Sequence, residues 1–212
     1  MTLTDDVYEK LRQQILTVER APGDLLYEAE LASLFQVSKT PVREALRLLA
    51  QTGWVVVLPH KGYIVRPVRL NDIRDIFAIR RMIEPALAAE ACEISSASGH
   101  LDKLEGILEQ QSAAGDDIAQ ALTAARSFHL TLAGIAGSSR ALRILEDLVD
   151  EVIRLHHLLP GIEGHIISAD EIEAHRRLVE ALKAKDAPTT RALMEEHLNE
   201  VAHTLVRGFS GM

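Results

Sequence analysis

Apolar positions along the chain keep two different rhythms. Val7, Leu11, Ile15 and Val18 stand three or four residues apart, the spacing of one helix face, and predict a first helix from about Thr4 to Val18. Ala21-Pro22-Gly23-Asp24 breaks it. Leu31, Leu34 and Phe35 mark a short second helix, and Val42, Ala45, Leu46, Leu49 and Ala50 form the apolar stripe of a third. Ser38 and Thr40 can each cap that third helix. Because the residue before a proline avoids the helical region, Thr40 is the favoured cap and Pro41 the first helical residue. After Gly53 the rhythm changes. Trp54 to Leu58 and Tyr63 to Val65 are short β-type runs around Pro59-His60-Lys61-Gly62, which predicts a hairpin.

From Asn71 onwards no strand pattern appears. Helical stripes near 72–93, 97–113, 116–136, 138–159, 168–184 and 188–208 predict six helices. The breakers between them are Ser95 to Gly99, Gly115-Asp116, Gly137 to Ser139, Pro160 to Gly164 and Asp186 to Pro188. Short loops between such neighbours make a bundle. The expected fold is mainly α: a winged helix-turn-helix over residues 1–67, a linker at 68–70 and an all-helical domain over 71–212.

In a helix-turn-helix the second helix of the pair lies in the major groove with its N-terminal residues at base edges. That puts Lys39, Thr40 and Arg43 at DNA, with Arg47 one turn further along, on the side opposite the stripe Val42, Ala45, Leu46 and Leu49. Lys61 and Gly62 form the wing tip, where glycine lets backbone approach a phosphate closely. The blander reading is a solvated cationic helix face, opposed by Glu44.

Charge at first argues against DNA, since the net charge is −8. Its distribution reverses that. The first 66 residues carry eight basic and eight acidic side chains, so the whole excess falls on the rest. Between 36 and 69, Lys39, Arg43, Arg47, Lys61, Arg66 and Arg69 face one acid, Glu44. A DNA-contacting surface needs that local concentration, not a high overall pI. Cys92 is the sole cysteine, so no disulfide can form within the chain, which fits a reducing cytoplasm. No run of about 18 apolar residues occurs, so no membrane span is expected.

The run Glu30-Leu31-Ala32, then Val37-Ser38-Lys39-Thr40-Pro41-Val42-Arg43-Glu44-Ala45-Leu46-Arg47-Leu48-Leu49, then Gly53, and Lys61-Gly62 before Val65, resembles the GntR family of bacterial regulators. The usual family residue at position 39 is Arg; Lys39 keeps the charge but loses the bidentate fork for guanine. Position 29, where some relatives contact DNA with Arg, is Ala29.

The second half is similar to the FCD effector domain of the FadR-type branch, in its VanR-like six-helix subset. The carrying residues are Ile79 to Glu84, Ser127-Phe128-His129, and Glu173-Ala174-His175 followed by His197. This resemblance implies a divalent ion, zinc or nickel, held inside the bundle by one Asp and three His, with the Asp one helical turn before the first His. His129, His175 and His197 match the three histidines; the Asp position is Ala125. Three readings stay open: a three-histidine site completed by water or effector, a carboxylate from elsewhere that nothing in the sequence singles out, or a polar pocket without metal. Without the resemblance, three of nine histidines would be read as ordinary bundle residues. His156 and His157, being adjacent, cannot both face a pocket, and His203 is off the His197 face.

The resemblance also implies that Arg80 binds an anion near the pocket; the competing role is an ion pair with Glu84 at i+4. The expected protein is a homodimeric regulator, in most such cases a repressor, that binds a pseudo-palindromic operator and responds to a small organic acid. It is not expected to be an enzyme. A metal-dependent hydrolase would need a general base, and none is evident beside His129. The other rival, a helical interaction protein without DNA binding, is opposed by Lys39, Thr40, Arg43 and Lys61.

Overall fold

The structure, a computed structural model, describes residues 2–94, 99–159 and 161–211. They form two compact units that divide between Arg69 and Leu70. The breakers read at Ser95 to Ser98 and at Pro160 lie outside the described residues.

In the first unit, α1 (Leu3–Leu16) opens on a capping box in which Thr2 and Asp5 each accept from the other's backbone N–H. It buries Val7, Leu11 and Ile15 completely. The helix stops two residues short of Val18, which adopts a left-handed φ of 59°. Next come β1 (Leu25–Leu26), α2 (Glu28–Leu34), α3 (Lys39–Gln51), β2 (Val55–Leu58) and β3 (Gly62–Val65). The hairpin pairs Val55 with Val65 and Leu58 with Gly62. It gains a third strand that its own pattern does not announce: β1 pairs antiparallel with β3, giving the order β1-β3-β2. Beneath these elements lies an aliphatic and aromatic core that includes Leu11, Leu26, Leu46, Trp54 and Val65.

Ser38, rather than Thr40, is the N-cap of α3. Pro41 thereby becomes the third helical residue. Its missing N–H costs nothing there, because the first four amides of a helix have no partner within it. The preference before proline is outweighed by two more residues of helix, Lys39 and Thr40.

The second unit contains α4 (Leu70–Ile94), α5 (His100–Ala113), α6 (Ile118–Ile135), α7 (Ser139–Leu158), a single 3-10 turn (Glu163–His165), α8 (Ala169–Lys183) and α9 (Ala187–Ser210). Side-chain oxygens of Asp117, Ser138, Ser168 and Asp186 cap α6 to α9. Helix α4 runs through Pro85. It packs along α9 and also touches α6, α7 and α8, so four helices enclose the space that α4 faces. The fold is mainly α, with one small sheet, as the pattern implied.

Candidate nucleic-acid interface and candidate metal centre

Two sets of functional side chains emerge, one in each unit, and they are built differently. On α3 the stripe Val42, Ala45, Leu46 and Leu49 is fully buried, so the helix turns Lys39, Thr40, Arg43 and Arg47 to solvent together. Lys61 is exposed on the three-residue turn of the hairpin, where its N–H donates to Leu58 O at 3.0 Å. Gly62 has a structural reason of its own. Its φ is 102°, and an added Cβ would stand 2.8 Å from the carbonyl oxygen of Leu26 in β1.

Arg43 is gripped from α2. Its Nε donates to Glu28 Oε1 at 3.0 Å and its Nη2 to Glu28 Oε2 at 2.7 Å. The hydrogen bond to Arg43 holds the Glu28 carboxyl below its usual range, and the reciprocal bond raises Arg43. Glu44 pairs instead with Arg47, at 3.3 Å. Sequence reasoning missed Glu28, since nothing in its own helix marks it as a partner for a residue 15 positions away.

The bundle brings His129 (α6), His175 (α8) and His197 (α9) together, one ligand atom from each lying within 4.8 Å of the others. Their ring centroids stand 4.8 to 5.3 Å apart. All three are buried, and Phe128 stacks on His175 at 4.3 Å. Two of the rings are oriented by what their outer nitrogen touches. His129 Nδ1 lies 2.6 Å from Glu84 Oε2, and His175 Nδ1 lies 2.8 Å from Gln111 Oε1. Both partners are acceptors, the Gln111 amide being fixed because its Nε2 donates to Ile166 O at 3.2 Å. In neutral rings the protons therefore sit on Nδ1, and both Nε2 atoms turn lone pairs inward. His129 Nε2 meets His197 Nε2 at 3.2 Å. A histidine locked by an outer acceptor is the usual preparation for metal binding.

Electrostatics favour the ligand form. Burial, then the neighbouring imidazoles, pushes His175 and His197 well below the ordinary histidine range, so both stay uncharged. Burial pushes the Glu84 carboxyl up, but the Arg80 guanidinium and His129 outweigh it and hold it near 2. Arg80 donates from Nε to Glu84 Oε1 at 2.5 Å, with both residues buried. The i+4 pair read from the sequence thus exists, but inside the protein and not on a solvated face. Glu84 also answers the missing base beside His129: a carboxylate is there, yet its low pKa and its bond to Arg80 make it a poor proton acceptor.

Beside the histidines lies a cavity of about 30 Å³. Its lining includes Arg80, Ala125, Arg126, Val152, His156 and Glu171. The Ala125 methyl occupies the wall one turn before His129. Burial raises the Glu171 carboxyl to about 8, and Glu200 adds to the rise while Arg80 opposes it. His156 lines the cavity while His157 does not, and His203 is exposed.

The chain carries two family signatures in the order its architecture requires. Residues 3–65 match the bacterial regulatory proteins of the gntR family, and residues 75–200 match the FCD domain. A transcriptional regulator in an unstable DNA locus of Streptomyces ambofaciens is 32% identical over 203 residues, covering 95% of this chain and 84% of that protein. The transcriptional repressor RspR of Escherichia coli K12 is 28% identical, covering 96% and 89%. Among solved structures, E. coli McbR/YncC matches with a TM-score of 0.84 and 26% identity over 99% of both chains. A winged DNA-reading unit with a helical sensor domain defines a class of one-component bacterial regulators. This chain belongs to the GntR family, in the branch with an FCD domain, and is a DNA-binding transcriptional regulator.

Proposed function

We propose that this regulator is a cytoplasmic homodimer that represses transcription from a pseudo-palindromic operator and is controlled by a small organic acid bound beside a divalent metal in the bundle. Residues 1–67 act as the DNA reader, 68–70 as the linker and 71–212 as the domain for effector binding and dimerisation. One observation carries the reading: α3 sets Lys39, Thr40, Arg43 and Arg47 on one exposed face, over a fully buried stripe, in a domain whose family binds DNA. Lys39 and Arg43 contact base edges, Thr40 and Arg47 the adjoining backbone, and Lys61 with Gly62 a neighbouring phosphate. Repression is supported by the name of the E. coli relative, a transcriptional repressor.

In the bundle, His129, His175 and His197 hold the ion, and their donor chemistry suits zinc or nickel. A bound divalent cation supplies open coordination positions for a carboxylate. Arg80, held by Glu84 beside the cavity, adds positive charge and fixes His129 through that same carboxylate. Effector binding changes the packing of the bundle and, through coupling of about 1–3 kcal/mol, changes operator affinity by roughly 5–150-fold.

The test is binding of the full-length protein to duplex from the region upstream of its own gene, measured against salt. Affinity is expected to fall steeply with salt, and Arg43→Ala to weaken it roughly ten-fold or more. A salt-independent affinity, or an Arg43→Ala variant that binds as well as its parent, would contradict the DNA-reading assignment. Organic acids are then added to the preformed complex with and without zinc; none releasing DNA would contradict the sensing role.

A further inference from the structure

The Asp that the FCD resemblance implies one turn before the first histidine has no counterpart here, because position 125 is alanine. Another buried carboxylate borders the same cavity. Glu171 stands one turn before His175 on the inner face of α8 and is 5% exposed. Its Oε1 lies 3.8 Å from His175 Nε2, and its Oε2 lies 3.7 Å from His197 Nδ1 and 3.4 Å from His165 Nε2. Those three ring nitrogens are buried and have no hydrogen-bond partner. Buried polar groups are nearly always satisfied, so three such atoms around one carboxylate ask for an explanation.

The spacing supplies one. Distances of 3.4 to 3.8 Å are too long for direct hydrogen bonds. Donors that share one ion, each about 2.0–2.2 Å from it, stand roughly 3–4.4 Å from one another according to the angle between them, and the 3.8 and 3.7 Å from Glu171 to His175 and His197 fall within that span. The arginines that line the cavity form no ion pair with Glu171, since Arg80 pairs with Glu84 and Arg126 with Asp150. A buried carboxylate is tolerated when it is paired, hydrogen-bonded or on a metal.

We propose that Glu171 is the carboxylate donor of the bundle's metal centre, replacing from α8 the acid that Ala125 leaves out on α6. This rests on the reading of His129, His175 and His197 as ligands. The centre then has one carboxylate and three imidazoles, with the acid i−4 to His175 instead of i−4 to His129.

The experiment uses the full-length protein stripped of metal by chelator, titrated with Co²⁺ for its visible absorption and with Zn²⁺ in competition with a chromophoric chelator. Four proteins are compared: wild type, Glu171→Gln, Ala125→Asp with Glu171→Gln, and His175→Ala. The expected results are one tight equivalent in the wild type, at least a roughly 10–100-fold loss with a changed Co²⁺ spectrum in Glu171→Gln, and recovery of affinity in the double variant. A Glu171→Gln protein with wild-type affinity and spectrum overturns the proposal while leaving the metal centre standing. Weakened affinity with an unchanged spectrum also overturns it, because Glu171 would then only orient His197. A wild type that takes up no ion, or a His175→Ala variant that binds as the wild type does, overturns the metal reading itself. A further measurement needs no variant: in a crystal structure of the zinc-loaded wild type, a Glu171 oxygen about 2.0–2.2 Å from the ion supports the proposal. A shell closed without Glu171 refutes it.

Discussion

The two units solve opposite electrostatic problems. In the winged unit the interior is aliphatic and aromatic, and every cation assigned to DNA lies outside, where water screens it. In the bundle the polarity is inverted. Among the described residues, the buried polar and charged side chains all fall between Arg80 and His197, and Arg80, His129, His156, Glu171 and His197 line one cavity. A surface built to meet a polyanion needs no desolvated charge, because the ligand brings its own countercharge. A chamber built to sense a small polar molecule must keep its polar groups dry beforehand and satisfy them internally. The difference shows in the two arginine–glutamate pairs: Arg43–Glu28 is exposed and exchangeable, whereas Arg80–Glu84 is 2–3% exposed and structural.

Acid should separate the units most. Burial, reinforced by His165 and His157, holds His156 near 3, well below its ordinary value. The unfolded imidazole takes up its proton near 6.5, so across that window the unfolded state binds more protons and stability falls as pH drops. A gap of about 3.5 units corresponds to on the order of 5 kcal/mol, with His175 and His197 adding in the same sense. Glu171 works oppositely: held near 8, it favours the fold at low pH and loses that contribution as pH rises from about 4.5 to 8. The histidines prevail below 6.5. Trp54, the sole tryptophan, is buried in the winged unit and reports on that unit alone. Helical circular dichroism is expected to decay in acid before Trp54 emission shifts; simultaneous loss would break the comparison.

The paired deletions come next. Glu84→Ala strands a buried guanidinium and should cost the bundle about 3–5 kcal/mol. Glu28→Ala, the matching cut on the surface, should leave the melting temperature unchanged. Equal effects in thermal or urea unfolding would show that the two pairs do not differ in kind. Gly62→Ala should destabilise the winged unit by about 1–3 kcal/mol, through its positive φ and the contact with Leu26, and leave the bundle intact. If its unfolding midpoint is unaltered, the glycine is there only for DNA. The smallest effect is expected from Glu28→Gln, which frees Arg43 and removes a negative charge beside the DNA-reading face. Duplex affinity should rise roughly 1.5- to 5-fold at low salt; a fall would mean that Glu28 orients Arg43 for its contact.

Much of the winged unit was legible because its physics is regular. Val42, Ala45, Leu46 and Leu49 repeat at helical spacing, and the core they build contains no polar residue that interrupts the stripe. Leu25–Leu26 escaped notice because two residues carry no period, and their pairing with Tyr63 and Ile64 depends on a fold not yet formed. In the bundle, helix count and breaks could be read, but the chamber could not. Arg80, Glu84 and Glu171 look like surface residues in any amphipathic reading, since charge at helical spacing ordinarily marks the wet face. Only the resemblance singled out His129, His175 and His197. Gln111, which fixes the His175 tautomer from α5, has no signal in sequence at all, and the Glu171–His175 spacing of four was visible without a reason to prefer it over Glu173.

The size of the chamber has a thermodynamic corollary. At about 30 Å³ it is an order of magnitude smaller than the roughly 300–1,000 Å³ that ligand sites occupy. A carboxylic acid with several carbons, the effector proposed above, would therefore have to meet an expanded form of the bundle. Its observed affinity is the intrinsic one multiplied by the fraction of molecules in that form. Trimming the wall, as in Val152→Ala, would make the roomier form commoner, and the bundle would answer to lower concentrations of its effector even as its fold became less stable.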